Sequence, residues 1–180
     1  MKEFKIIFAG SMGAGKTTAI QALSDEAVVS SDVANSDKNA NSKLFTTVGI
    51  DYGQIFLPPD VKIGLYGTPG QERFELVWRI VTEGALGVIV LIDASAAKSA
   101  QELPYYVEYF HNRNMDHIVV GITHADEVTG NMDHLTLDRA FELLAERELN
   151  FPIFEIDARE REDVMLLIET LITSIEADLV

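Results

Sequence analysis

The sequence predicts an α/β sandwich of three layers, a mostly parallel six-stranded sheet with one antiparallel edge strand and about five helices. Three observations predict it. Short apolar runs alternate with amphipathic stretches along the chain, the pattern of parallel strands joined by right-handed helical crossovers. Gly87–Asp93, reading GVIVLID, is β-branched and aliphatic throughout, as a strand buried on both faces must be. The apolar run Phe4–Ala9 leads directly into Gly10-Ser11-Met12-Gly13-Ala14-Gly15-Lys16-Thr17, a G-x-x-x-x-G-K-S/T pattern between a strand and a helix.

The elements follow in order. Phe4–Ala9 is the first strand and Thr17–Ser24 the first helix. The segment 25–45 breaks the pattern: Ser30–Lys43, SSDVANSDKNANSK, lacks the apolar content to offset the entropy of ordering it, and reads as a nucleotide-responsive loop. Ile50–Leu57 and Val61–Tyr66 read as paired strands around a Pro58-Pro59-Asp60 turn. A helical stretch reaches about Glu83, and after the strand Gly87–Asp93 a helix is expected over Pro104–Asn114. His117–Thr123 is the next strand, Thr136–Glu148 a helix with Leu137, Ala140, Leu143 and Leu144 inward, and Ile153–Asp157 the last strand. The final helix is the clearest: Val164, Leu167, Ile168, Leu171, Ile172, Ile175 and Leu179 recur at three and four residues.

Composition narrows the class. A chain of 180 residues and 47% hydrophobic content is expected to form one domain, residues 1–180. The longest apolar run, Val88–Ile92, is too short to span a bilayer, and Met1-Lys2-Glu3-Phe4 enters the first strand without room for a signal peptide. Without cysteine there is neither a thiolate metal site nor a site for prenylation or palmitoylation. A cytoplasmic location without a direct membrane anchor is expected. A net charge of −15 argues against nucleic acid as a partner. It does not oppose a polyphosphate, because distant carboxylates are screened beyond about 8–10 Å.

The glycine-rich loop carries the first chemistry. Gly10, Gly13 and Gly15 let the backbone wrap so that amides from Gly13 through Ala14 to Thr18 point at phosphate oxygens. Lys16 adds a point charge at the terminal phosphates, and the Thr17 hydroxyl is a Mg2+ ligand of the kind this pattern provides. The following helix presents its positive end to the same anion. His111, His117 and His134 lack metal-ligand spacing. Trp78, with Phe74 and Val77, fits a partner-binding patch or the core equally well, and Arg73 and Arg79 fit surface ion pairing.

Taken in order, the motifs resemble those of the Ras-like small GTPases, a P-loop NTPase family, and the resemblance runs from Lys5 to about Ile175. Thr47-Val48-Gly49-Ile50-Asp51 is similar to the T-x-G-x-D/E end of their first switch, and Gly70-Gln71-Glu72-Arg73-Phe74 to the G-Q-E-R-F of the second. Thr123-His124-Ala125-Asp126 stands where the family has N/T-K-x-D, and Asp157-Ala158-Arg159 where it has S-A-K. The Gly-Thr-Pro-Gly-Gln form of the second switch, with Trp78 and Gly84–Gly87, resembles a bacterial and archaeal branch related to gliding-motility polarity GTPases and signalling-operon GTPases. Roadblock or longin-type regulators are the partners this branch implies.

The resemblance implies GTP/GDP and Mg2+ as cofactors. Thr47 would join Thr17 on Mg2+, with Thr46 a less well aligned competitor. Gly70 would donate its N–H to the γ-phosphate, and Gln71 would orient the attacking water, assisted by Lys16. Asp126 would accept two hydrogen bonds from guanine, Ala158 would offer its N–H to the guanine O6, and Thr123, His124 and Arg159 would complete the base site.

Three departures stand out. Gly67 replaces an aspartate that holds a Mg2+-bound water in the family; Asp51, Glu72 or an extra water could take its part. Met12 replaces a glycine beside the γ-phosphate, which predicts slow turnover and no ordinary arginine-finger activator. His124 replaces a lysine that packs over the base, which predicts modest guanine affinity. The expected function is therefore a slow, activator-dependent GTPase switch. A nucleotide-binding scaffold with little hydrolysis and an adenine-nucleotide P-loop ATPase or kinase are the alternatives.

Overall fold

The computed structural model describes residues 1–30, 49–71, 75–128 and 134–178. Its strands are β1 (Lys2–Ala9), β2 (Val29–Ser30), β3 (Asp51–Leu57), β4 (Val61–Gly67), β5 (Gly87–Asp93), β6 (Ile118–Thr123) and β7 (Ile153–Glu155). They form one sheet in the order β2-β3-β4-β1-β5-β6-β7. The helices are α1 (Lys16–Leu23), α2 (Glu75–Thr82), α3 (Ser99–His111), α4 (Leu137–Ala145) and α5 (Arg161–Ala177).

β1 pairs in parallel with β4 on one side and β5 on the other, and the parallel ladder continues through β6 to β7. β3 runs antiparallel to β4, and β2 antiparallel to β3. The chain leaves β1 toward one edge and returns to its other side, so a crevice opens at the carboxyl end of β1, where such sheets bind ligands.

Because successive strand residues face opposite ways, β1 is apolar at consecutive positions for a structural reason. Ile6 and Phe8 enter a core with Ile20 of α1 and Leu167 and Leu171 of α5. Ile7 and Ala9 enter the opposite core with Trp78, Leu103, Phe110 and Leu144 from α2, α3 and α4. All four β1 side chains are fully buried. No helix among the described residues is long and apolar enough to cross a membrane.

The sheet has a seventh strand beyond the six expected. β2 is a two-residue edge strand, Val29 and Ser30 opposite Tyr52 and Asp51, too short to leave a periodic signal. α3 begins at Ser99 rather than Pro104, so the proline lies inside the helix, where it costs one backbone donor. Leu103, ahead of the proline, is buried in that added turn. α4 starts where expected, with the Thr136 hydroxyl accepting from the Arg139 amide at 3.2 Å.

Trp78 resolves to core. It is fully buried, packs against Tyr106 and Tyr109 at centroid distances of 5.3 and 5.0 Å, and donates its indole N–H to the Pro69 carbonyl at 2.6 Å. Thr46, Thr47 and most of the polar loop lie outside the described residues, as do Glu72, Arg73 and Phe74.

Candidate nucleotide-binding site

The turn after β1 is fixed by close approach. Gly10 has φ of +134°, and a Cβ there would stand 2.0 Å from the Leu91 carbonyl oxygen, so only glycine fits. Beyond it the Lys16 side chain folds back across its own loop, donating to the Gly10 carbonyl at 2.8 Å and the Ser11 carbonyl at 2.6 Å. Lys16 is 8% exposed. Burial pushes its ammonium down from the usual 10.5 to about 8, against the charges of Asp51 and Glu102, which pull it upward. No side chain caps the first turn of α1, and Gly15 stands at its start. The first-turn amides of a helix lack intrahelical partners, the usual anion-binding arrangement of a helix start.

On one flank of this loop lies the β3–β4 ladder. The Thr17 hydroxyl donates to Oδ2 of Asp51, whose Oδ1 accepts from the Ser30 hydroxyl at 2.6 Å. Gly70 lies directly on the phosphate loop: a Cβ there would come within 2.3 Å of the Met12 amide nitrogen. The Gly70 carbonyl accepts from the Tyr106 hydroxyl of α3 at 3.1 Å. Gln71 is exposed beside it, and Met12 projects into solvent with 77% of its surface exposed. Glu102 of α3 accepts from the Ser11 hydroxyl at 2.8 Å.

On the other flank, Gly15 and Thr18 line a cavity of about 150 Å³ together with Thr123, His124, Asp126, Ala158 and Arg159. Thr123, buried at the end of β6, donates to the Ala14 carbonyl at 3.0 Å and so ties this cavity to the phosphate loop. His124 sits in a left-handed conformation (φ 58°), its Nδ1 2.9 Å from the Thr123 hydroxyl. Asp126 lies in a short 3-10 turn, Ala125–Glu127, with its side chain exposed. Arg159 forks onto Asp157, with contacts of 2.6 and 2.8 Å, and reaches Asp126 at 3.2 Å. Its hydrogen bonds to Asp157 hold that carboxyl down at about 2.

The fold thus gathers Gly10, Gly13, Ala14, Gly15, Lys16, Thr17, Thr18, Gly70, Thr123, His124, Asp126, Ala158 and Arg159 around one crevice; Thr47 lies outside the described residues. Tyr106 and Glu102 also reach the site. Both come from α3, where they look like ordinary helix residues and carry no motif. Among the described residues, no group of three or more His, Asp or Glu is arranged to hold a metal ion.

A glycine-rich loop between a central parallel strand and a helix, at the switch point of the sheet, defines a P-loop protein. A model of the Ras family matches residues 5–177, and the chain belongs to that family of small GTPases. It is 25% identical over 180 residues to the Ras-related protein RabC of Dictyostelium discoideum, covering 97% of this chain and 84% of RabC. It is 36% identical over 93 residues to an uncharacterized protein of Methanocaldococcus jannaschii, covering 52% of this chain and 53% of that protein. Rab-8A of Gallus gallus is 28% identical over 107 residues, 46% of its length. Among solved structures, the bacterial selenocysteine-specific elongation factor EF-Sec shares the fold. Its TM-score is 0.68 at 21% identity, and the match covers 97% of this chain and 29% of the elongation factor.

Proposed function

We propose that residues 1–180 form one guanine-nucleotide-binding domain that binds Mg2+ with GTP or GDP, hydrolyses GTP slowly, and signals through nucleotide-dependent switch segments. The observation that carries this reading is the continuity of the crevice: Gly15 and Thr18 of the phosphate loop line the same cavity as Asp126 and Ala158. A base and its phosphates therefore have adjoining places.

In this reading, amides from Gly13 to Thr18 hold the β- and γ-phosphates, and Lys16 turns from its own loop carbonyls to the phosphate oxygens. Thr17 and Thr47 offer hard hydroxyl oxygens of the kind Mg2+ takes, and the bound cation would supply neutralisation of phosphate charge. Gly70 reaches the γ-phosphate through its N–H, an approach its contact with the Met12 amide supports. Gln71 orients the attacking water. Asp126 selects guanine by accepting from its N1–H and amino group, and Ala158 donates to O6. Thr123 holds the cavity against the phosphate loop, which is why threonine serves where the family also uses asparagine.

The slow rate follows from Met12, and regulators of roadblock or longin type are the partners we assign to the switch segments. The archaeal relative, at 36% identity, supports placing the chain in the bacterial and archaeal branch. Competition of GTP and ATP for the purified protein, repeated with Asp126→Asn, tests the base assignment. A clear GTP preference that Asp126→Asn abolishes is expected, and equal affinities in the wild type would defeat it. Phosphate release that Gln71→Leu suppresses is the expected sign of hydrolysis; none at all would leave a scaffold.

A further inference from the structure

Gly70 has no side chain with which to fix its own backbone. A Cβ there would meet the Met12 amide nitrogen at 2.3 Å, so glycine is required, and glycine leaves both dihedrals free. Two donors from the helices behind it hold the peptides on either side. The Trp78 indole N–H donates to the Pro69 carbonyl at 2.6 Å, and the Tyr106 hydroxyl donates to the Gly70 carbonyl at 3.1 Å. The first carbonyl belongs to the peptide that precedes the Gly70 Cα, and the second to the peptide that follows it. In a trans peptide the C=O and N–H point opposite ways. Holding the Pro69 carbonyl therefore aims the Gly70 N–H away from the indole.

Packing holds the two donors in turn. Trp78 is fully buried and Tyr106 is 2% exposed, with their ring centroids 5.3 Å apart. The same helix also reaches the facing wall: Glu102, one turn before Tyr106, accepts from the Ser11 hydroxyl at 2.8 Å. One face of α3 thus holds the phosphate loop at Ser11 and the second-switch segment at Gly70. We propose that Tyr106 and Trp78 are positioning residues for the γ-phosphate, holding the Gly70 N–H in the direction that donates to it. The inference rests on the nucleotide reading above, which assigns that N–H to the γ-phosphate, and names what aims it. Both rings lie in the core and act only through the Gly70 backbone. Without them the peptides beside this glycine rotate, and the donor must be re-aimed whenever GTP binds. GDP lacks a γ-phosphate, so its affinity does not depend on this clamp.

The test compares the affinity of the full chain for GDP and for a non-hydrolysable GTP analogue, both with Mg2+. The variants are Tyr106→Phe and Trp78→Phe, each of which keeps an aromatic ring and deletes one donor. Both should keep the wild-type GDP Kd. Both should bind the analogue roughly tenfold more weakly, since one hydrogen bond to a charged acceptor is misaimed. Single-turnover hydrolysis of bound GTP should fall by about tenfold or more. Tyr106→Phe removes a single oxygen and is the decisive variant, because Trp78→Phe also shrinks a core ring. An unchanged ratio of analogue to GDP affinity in Tyr106→Phe would overturn the proposal while leaving the nucleotide site intact. Equal losses for both ligands give that same unchanged ratio, and mark a structural role alone. A wild-type chain that binds neither ligand would instead remove the nucleotide reading, and this inference with it.

Discussion

The Arg159 guanidinium reaches the Asp126 carboxylate at 3.2 Å, across the mouth of the cavity that we assign to the base. Both side chains are about two-thirds exposed, at 64% and 66%. Exposed pairs contribute little once water screens them, so breaking this one to admit guanine is a small cost. Arg159→Ala should shift the GDP Kd by no more than about fivefold. Asp126→Ala, which deletes two hydrogen bonds to a charged acceptor, should weaken GDP by about 100-fold or more. Titration calorimetry of the two variants checks the contrast.

The same guanidinium holds the Asp157 carboxyl at about 2, below its ordinary 3.8. A depressed carboxylate favours the folded state above its unfolded pKa, and the benefit fades as pH falls from about 4 to about 2. Arg159→Ala should therefore be somewhat less stable than wild type above about pH 4, and the difference should close as pH falls from about 4 to about 2. Circular dichroism against pH reads this directly.

Lys16 has the opposite sign. Its ammonium is lowered from 10.5 to about 8 by burial, so between those values the folded protein holds fewer protons here than the unfolded chain. This group's contribution to stability thus rises with pH through that window. Phosphate oxygens would raise the ammonium again on binding. GDP binding near pH 8.5 should then take up protons and weaken as pH climbs further. Calorimetry in two buffers of different ionisation enthalpy measures the uptake; identical enthalpies would contradict it.

Met12 stands beside Gly70, whose missing side chain lets the second-switch segment touch the phosphate loop. Met12→Gly should raise single-turnover phosphate release by about tenfold or more, because it frees space for Gln71 and for an inserted arginine. An unchanged rate, basal and activator-stimulated, would refute the crowding role.

Trp78 should matter for stability. Trp78→Ala empties a fully buried site against Tyr106, Tyr109 and Phe110 and strips the Pro69 carbonyl of its donor. A loss of about 3–5 kcal/mol is expected in chemical denaturation.

Most of the sheet could be read from the chain because its signals are local. β5 is one nearly unbroken apolar run, and α5 repeats its buried face at three and four residues from Val164 to Leu171. The phosphate loop was legible because every part of it is contiguous in sequence. Other features arise only from distance. That Asp51 abuts Gly67 depends on the ladder register, and that Tyr106 meets Gly70 depends on α3 packing beside α2. The start of α3 differs from the expected Pro104 because proline commonly opens a helix, whereas here it follows a first turn anchored by buried Ser99 and Leu103.

The chain contains a single tryptophan, and its indole N–H is bonded to the Pro69 carbonyl, one residue before Gly70. The segment expected to respond to the γ-phosphate is therefore tied to the one indole chromophore. Intrinsic emission, without any attached dye, becomes an optical gauge of that segment. A shift in its wavelength on exchanging GDP for a non-hydrolysable GTP analogue would report movement at Pro69 in the unlabelled native chain.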